Sequence, residues 1–321
     1  MGHALNILIV HGIGWGDNGK DYARPLVQNI SSEFDRTIKR LRLRDVPGRE
    51  ARARRALRFE VVYWSPITQD SQNALLSLMG FRGGLWPLRR LNMVYQVRKQ
   101  LVGLLGDVIT YESGSSNRVY SAIHGRVHDC LEALGTASAD ERDTEGYAPL
   151  TVIGHSLGGV IASDHVWDTT KGTAQRYRLE EHHLRLQNMF TLGSPLAIYA
   201  LRNNPSADKR TLAESLDSPI TCDPDDGLWL NMYDPQDPIG FPLQPIRSYD
   251  AAGVIDCTVR AGNWLTTWSP VSHVGYWRSQ EVAHLIARKL AVDWAAANSA
   301  NFADRYPKAL KDLRRDLARR G

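Results

Sequence analysis

Ser156 lies in Gly154-His155-Ser156-Leu157-Gly158, and the chain later offers Asp234, Asp237 and His273. A serine hydroxyl is a weak nucleophile until a base takes its proton and an acid orients that base. The G-x-S-x-G stretch has physical meaning where an apolar run precedes it and a helical pattern follows. There the serine sits on a tight strand-to-helix turn, with its Oγ above the sheet. Pro149–Ile153 supplies the apolar run, and 159–167 reads as the helix. Such an arrangement takes its groups in the order serine, acid, histidine. After a fifth apolar run comes "NMYDPQDPIGFP", which carries both aspartates. After a sixth comes "WSPVSHVGYW", which carries His273. Ser156 is the candidate nucleophile and His273 the base. Asp237 is the favoured acid, and Asp234, next to the strand and before Pro235, is the alternative. His284 falls inside a later helical stripe and reads as structural.

The first loop, "NILIVHGIGWGDNGKD", satisfies three motifs at once. Gly14, Gly16 and Gly19 spell the dinucleotide fingerprint. That site also needs an acid at the end of the next strand, and Glu33 and Asp35 lie inside a helical stripe instead. Gly14 to Lys20 spells most of a P-loop, but Asp21 stands where the magnesium-binding serine or threonine belongs. His11-Gly12-Ile13 is the third motif, a turn that can aim an amide at a developing oxyanion. On this reading Ile13 and Leu157 supply the two oxyanion amides, with no cofactor and no metal. "CDPDDG", Cys222 to Gly227, is far shorter than a calcium loop and reads as a turn.

The elements that must hold these groups follow from periodicity. Leu5–Val10 is a short apolar run ending in glycine, as in a buried parallel strand. Leu26, Ile30, Phe34, Ile38 and Leu41 recur at helical spacing. Further strands are expected at Phe59–Trp64, Pro149–Ile153, Leu186–Leu192, Leu228–Tyr233 and Val254–Val259. Helices are expected through 119–134 and 282–290, with a basic amphipathic one through 302–317. Strand–helix alternation predicts an α/β fold: a mostly parallel sheet of about six or more strands with helices on both faces. Residues 66–115 exceed what a crossover needs and read as an apolar helical lid inserted in one domain spanning 1–321.

With 321 residues and a formal charge of +4, the chain is mildly basic, and its arginine blocks read as solvated faces. No nucleic-acid partner is expected. The apolar lid and its arginines leave peripheral contact with a lipid surface open. Three separated cysteines give no disulfide framework. No run reaches the roughly 18 apolar residues of a membrane span. No basic leader or cleavage site follows Met1, so a cytoplasmic location is expected, with signal-free export as the other route.

With these residues in view, the sequence resembles the α/β-hydrolase superfamily, and within it the lipase and serine-esterase branch. His11-Gly12-Ile13-Gly14, Gly154 to Gly159, Thr191-Leu192-Gly193-Ser194-Pro195, Asp237-Pro238 and His273 carry the resemblance, which extends over about residues 5 to 295. It implies a serine hydrolase that cleaves carboxylic esters of lipid-like or acyl substrates through an acyl-enzyme. Thioester or amide hydrolysis, acyl transfer, or a non-catalytic binding module are the alternatives. The sequence departs from the family in its insertion at 66–115, in its connector from Ile198 to Gly227, and in opening at what would be the third strand.

Overall fold

The structure is a computed structural model describing residues 3–12, 19–46, 52–68, 111, 118–170, 179–203, 220–262 and 272–321. The lid expected over 66–115 therefore lies outside the described residues, apart from 66–68 and 111.

β1 (Leu5–Val10) is buried at every position. A strand covered on both faces needs apolar residues of either parity, which "LNILIV" supplies. Ile7 and Ile9 face one layer of helices, and Leu8 and Val10 face the other. α1 (Arg24–Leu41) starts after a 3-10 turn at Gly19–Ala23, with Pro25 in its first turn, where a missing N–H costs little. β2 (Leu57–Val62) follows, stopping two residues short of Trp64. After it come α2 (Arg118–Ala137), β3 (Ala148–His155), α3 (Leu157–Thr170), β4 (Leu184–Leu192), α4 (Leu196–Asn203) and β5 (Leu228–Tyr233). The short α5 (Arg247–Ala251), β6 (Val254–Thr258), α6 (Gln280–Asn298) and α7 (Tyr306–Ala318) complete the order. The single C-terminal helix expected from 302 is interrupted. A short helical turn, Ala300–Ala303, precedes α7, and Pro307 sits in the first turn of α7.

The six strands form one sheet in the order β2-β1-β3-β4-β5-β6, and every neighbouring pair is parallel. Helices cover both faces, as the alternation predicts. α1, α6 and α7 pack on one face, and α2 and α3 on the other. From β1 the chain steps outward to β2, then returns to place β3 on β1's other side. That reversal makes the carboxyl ends of β1 and β3 a topological switch point, where parallel sheets open a crevice for ligands. The segments leaving those two strand ends are His11-Gly12 and Ser156. Among the described residues no helix is long and apolar enough to cross a membrane.

Candidate active site

Ser156 occupies the single residue between β3 and α3, with φ of 55°. A serine is uncommon in this left-handed region, so the turn is strained and the surroundings must hold it. The Ser156 N–H donates to the Leu192 carbonyl at 2.9 Å, and the Ser194 hydroxyl donates to the Ser156 carbonyl at 3.2 Å. The turn also needs a bare backbone beside it. A Cβ on Gly158 would stand 2.1 Å from the Val10 carbonyl oxygen, and one on Gly12 would stand 2.6 Å from the Ser156 Cβ. Both loops of the switch point therefore meet at the serine. Leu157 opens α3, and its N–H is one of the first-turn amides that a helix leaves unused. Ile13 lies outside the described residues.

His273 enters on a 3-10 turn (Ser272–Arg278) between β6 and α6. Its Nδ1 lies 2.9 Å from Asp237 Oδ2 and 3.1 Å from Oδ1. A carboxylate only accepts, so Nδ1 carries the proton and Nε2 is left with a lone pair. Asp237 also accepts from the Tyr276 hydroxyl at 2.9 Å and from the Ile239 N–H at 3.0 Å. Burial pushes its carboxyl up. The hydrogen bond and charge of His273, with the Ile239 and Tyr276 donors, outweigh that and hold it below the ordinary aspartate value. Ser156, Asp237 and His273 are 1%, 4% and 8% exposed. Among the described residues neither Ser156 Oγ nor His273 Nε2 has a hydrogen-bond partner.

Asp234 does a different task. Its Oδ1 accepts from the Gln236 N–H at 3.0 Å, and its Oδ2 from the Ala261 N–H at 2.9 Å. It thus closes the turn after β5 and ties it to the chain leaving β6, without touching His273. Tyr276 links the two aspartates. Its oxygen receives the Asp234 N–H at 2.8 Å while its proton goes to Asp237.

Several contributors carry no role that a motif assigns. His155, inside G-x-S-x-G, binds the His273 carbonyl, and Trp277 binds His155. Tyr276 and Trp277 follow His273 in "SHVGYW", so their spacing on one tight turn was the available signal. His11 stacks on Trp64 with ring centroids 5.3 Å apart, and its Nδ1 bonds the Gly12 carbonyl. Burial foremost lowers the His11 pKa to about 4, so the ring stays neutral. Among the described residues no group of three or more His, Cys, Asp or Glu side chains is placed to hold a metal.

No protein-family model matches the chain, and no curated protein matches it. Among solved structures the chain is similar to an IroE-like serine hydrolase from Shewanella oneidensis. The identity is 12% over 98% of this chain and 90% of that one, with a TM-score of 0.35.

Proposed function

We propose that the protein is a serine hydrolase of the α/β-hydrolase kind that cleaves carboxylic esters, with lipid-like or acyl substrates. One observation carries the reading. Among the described residues, a buried serine on a strained strand-to-helix turn and a buried histidine on a carboxylate each keep one reactive atom without a partner. Buried polar atoms are normally paired, and two such orphans at a sheet's switch point suit a reacting pair that closes on substrate.

Ser156 Oγ attacks the ester carbonyl carbon while His273 Nε2 takes its proton. The Asp237 carboxylate stabilises the imidazolium and keeps its Nδ1–H in place. The Leu157 amide and, in the segment after Gly12, the Ile13 amide receive the oxyanion. The tetrahedral intermediate collapses, the C–O bond to the alcohol breaks, and His273 returns its proton to the departing alkoxide. Water then attacks the acyl-Ser156 ester, giving its proton to His273. The acid is released as the proton returns to Ser156.

The test is hydrolysis of p-nitrophenyl esters from acetyl to palmitoyl, beside Ser156→Ala. Wild-type turnover should fall by about 10⁴-fold or more in the variant, with thermal unfolding nearly unchanged. Substantial residual turnover removes Ser156 from the nucleophile role. A long-chain optimum would support the lipid-like substrate class, and a strict acetyl preference would sink it.

A further inference from the structure

His155 immediately precedes Ser156 and is 1% exposed. Both of its ring nitrogens are committed. The Trp277 indole N–H, which can only donate, reaches Nδ1 at 3.1 Å. The ring proton therefore stands on Nε2, which donates to the His273 backbone carbonyl at 2.7 Å. The His155 ring lies 4.9 Å from the His273 ring and 5.1 Å from that of Trp277. Trp277 in turn packs edge-on to Tyr22, 4.8 Å away, on the turn that leads into α1. Among the described residues no other side chain bonds the His273 backbone.

We propose that His155 is a positioning residue: it fastens the backbone of His273 to the strand end that carries Ser156, and so sets the reach from His273 Nε2 to the serine Oγ. The inference rests on the serine-hydrolase reading. Asp237 fixes the rotation of the His273 ring by holding Nδ1. It does not fix where the main chain that bears the ring stands. His155 does so by the shortest covalent route, because it shares a peptide bond with the nucleophile. The role requires a ring that keeps one tautomer while its neighbour gains and loses a proton. Among the described residues, the titratable groups facing His155 are His273, Asp237, His11 and Tyr276. Burial, followed by the charge of His273, lowers the His155 pKa to about 3, so it remains neutral beside the imidazolium.

Packing alone would be satisfied by any flat ring, which gives the test its contrast. His155→Phe keeps the ring and removes donor and acceptor. His155→Gln offers an amide N–H for the His273 carbonyl and an amide oxygen for Trp277. The measurements are kcat and KM on a p-nitrophenyl ester, the rate of fluorophosphonate labelling at Ser156, and Tm. His155→Phe should lose about 10²-fold in kcat, the cost of a small misplacement, with KM within about threefold. Labelling should slow in parallel, and His155→Gln should recover to within about tenfold of wild type. A His155→Phe protein that turns over like wild type overturns the role, as does a Gln variant as slow as Phe. Nitrogen NMR of the wild type needs no variant to fold. A neutral Nε2–H tautomer through the titration of His273 is expected, and an Nδ1–H tautomer overturns the proposal. A wild type that takes no label at Ser156 overturns the hydrolase reading and this inference with it. A labelled wild type with an unaffected Phe variant overturns the positioning role alone.

Discussion

The chain buries histidines in two places, and the two differ in what their ring nitrogens meet. At the carboxyl edge of the sheet, His273 holds a carboxylate on one nitrogen and leaves the other without a partner among the described residues. Between α2 and α3, His124 has both nitrogens occupied. Its Nδ1 meets His165 Nδ1 at 2.9 Å, and its Nε2 meets the Tyr111 hydroxyl at 3.0 Å. Tyr111 donates to Asp164 at 3.2 Å, so a consistent order of protons runs from His165 through His124 and Tyr111 to that acid. His128 and His182 form a second pair nearby, 2.9 Å apart. Burial lowers the His124 pKa to about 3 and holds the His165 pKa well below the ordinary histidine value, the latter also through the charges of neighbouring histidines. Burial alone thus makes a histidine a neutral structural link. An oriented carboxylate and one nitrogen without a partner among the described residues are what the proposed base at His273 requires.

The strongest way to break that comparison is to remove the carboxylate. Asp237→Asn should cost about 10³- to 10⁴-fold in kcat, through loss of the charge and of the Nδ1–H tautomer. Asp234→Asn should leave kcat within about tenfold and lower Tm by a few degrees, because it weakens only loop hydrogen bonds. Steady-state kinetics on both variants decides it, and the reverse ranking would exchange the two acids.

A smaller effect sharpens the other side. Histidines with depressed folded pKa values bind protons in the unfolded chain before they bind them in the native one. Stability is therefore full above about pH 6.5 and drains away as pH falls toward about 3. His11, His124, His155 and His165 all contribute. His124→Phe should lower Tm at pH 8 by leaving Tyr111 and His165 short of a bond, yet flatten the acid decline of Tm, with turnover per folded molecule retained. An unaltered slope would mean that His124 is not held neutral.

The smallest expected effect concerns Tyr276, which serves His273 only through the Asp237 carboxylate. Tyr276→Phe deletes one donor to Asp237 and the acceptor for the Asp234 N–H. It should reduce kcat/KM by about fivefold to tenfold, the worth of one ordinary hydrogen bond of about 1 kcal/mol. A loss as large as that of Asp237→Asn would move Tyr276 into the reacting set, and no loss would remove it from the site.

Much of the architecture was legible because buried parallel strands declare themselves. Runs such as "LNILIV" and "LWLNMY" are apolar on both faces, and both formed strands over the residues expected. Boundaries were less legible where local geometry intervenes. β2 began earlier than its aromatic run suggested, because Leu57 pairs with Leu5. Pro307 helped break the C-terminal helix in a place its apolar spacing bridged. At the site, type and spacing were enough to nominate Ser156, both aspartates and His273, because the turn that exposes such a serine demands glycines around it.

Three things could be decided only in three dimensions. Asp234 and Asp237 have the same side chain and lie within one turn of each other, so which one meets His273 depends on how the β5 loop closes over Tyr276. His155 could be read only as part of a motif until the fold brought Trp277 and the His273 carbonyl to its two nitrogens. His124 and His273 are the same residue type, and their partners come from segments distant in the chain. Sequence by itself determined the candidate groups and the strands that carry them, because residue type and local periodicity are properties of short segments. Tertiary structure decided what each titratable group does, because protonation, tautomer and reach are set by neighbours that only the packed sheet brings within hydrogen-bonding distance.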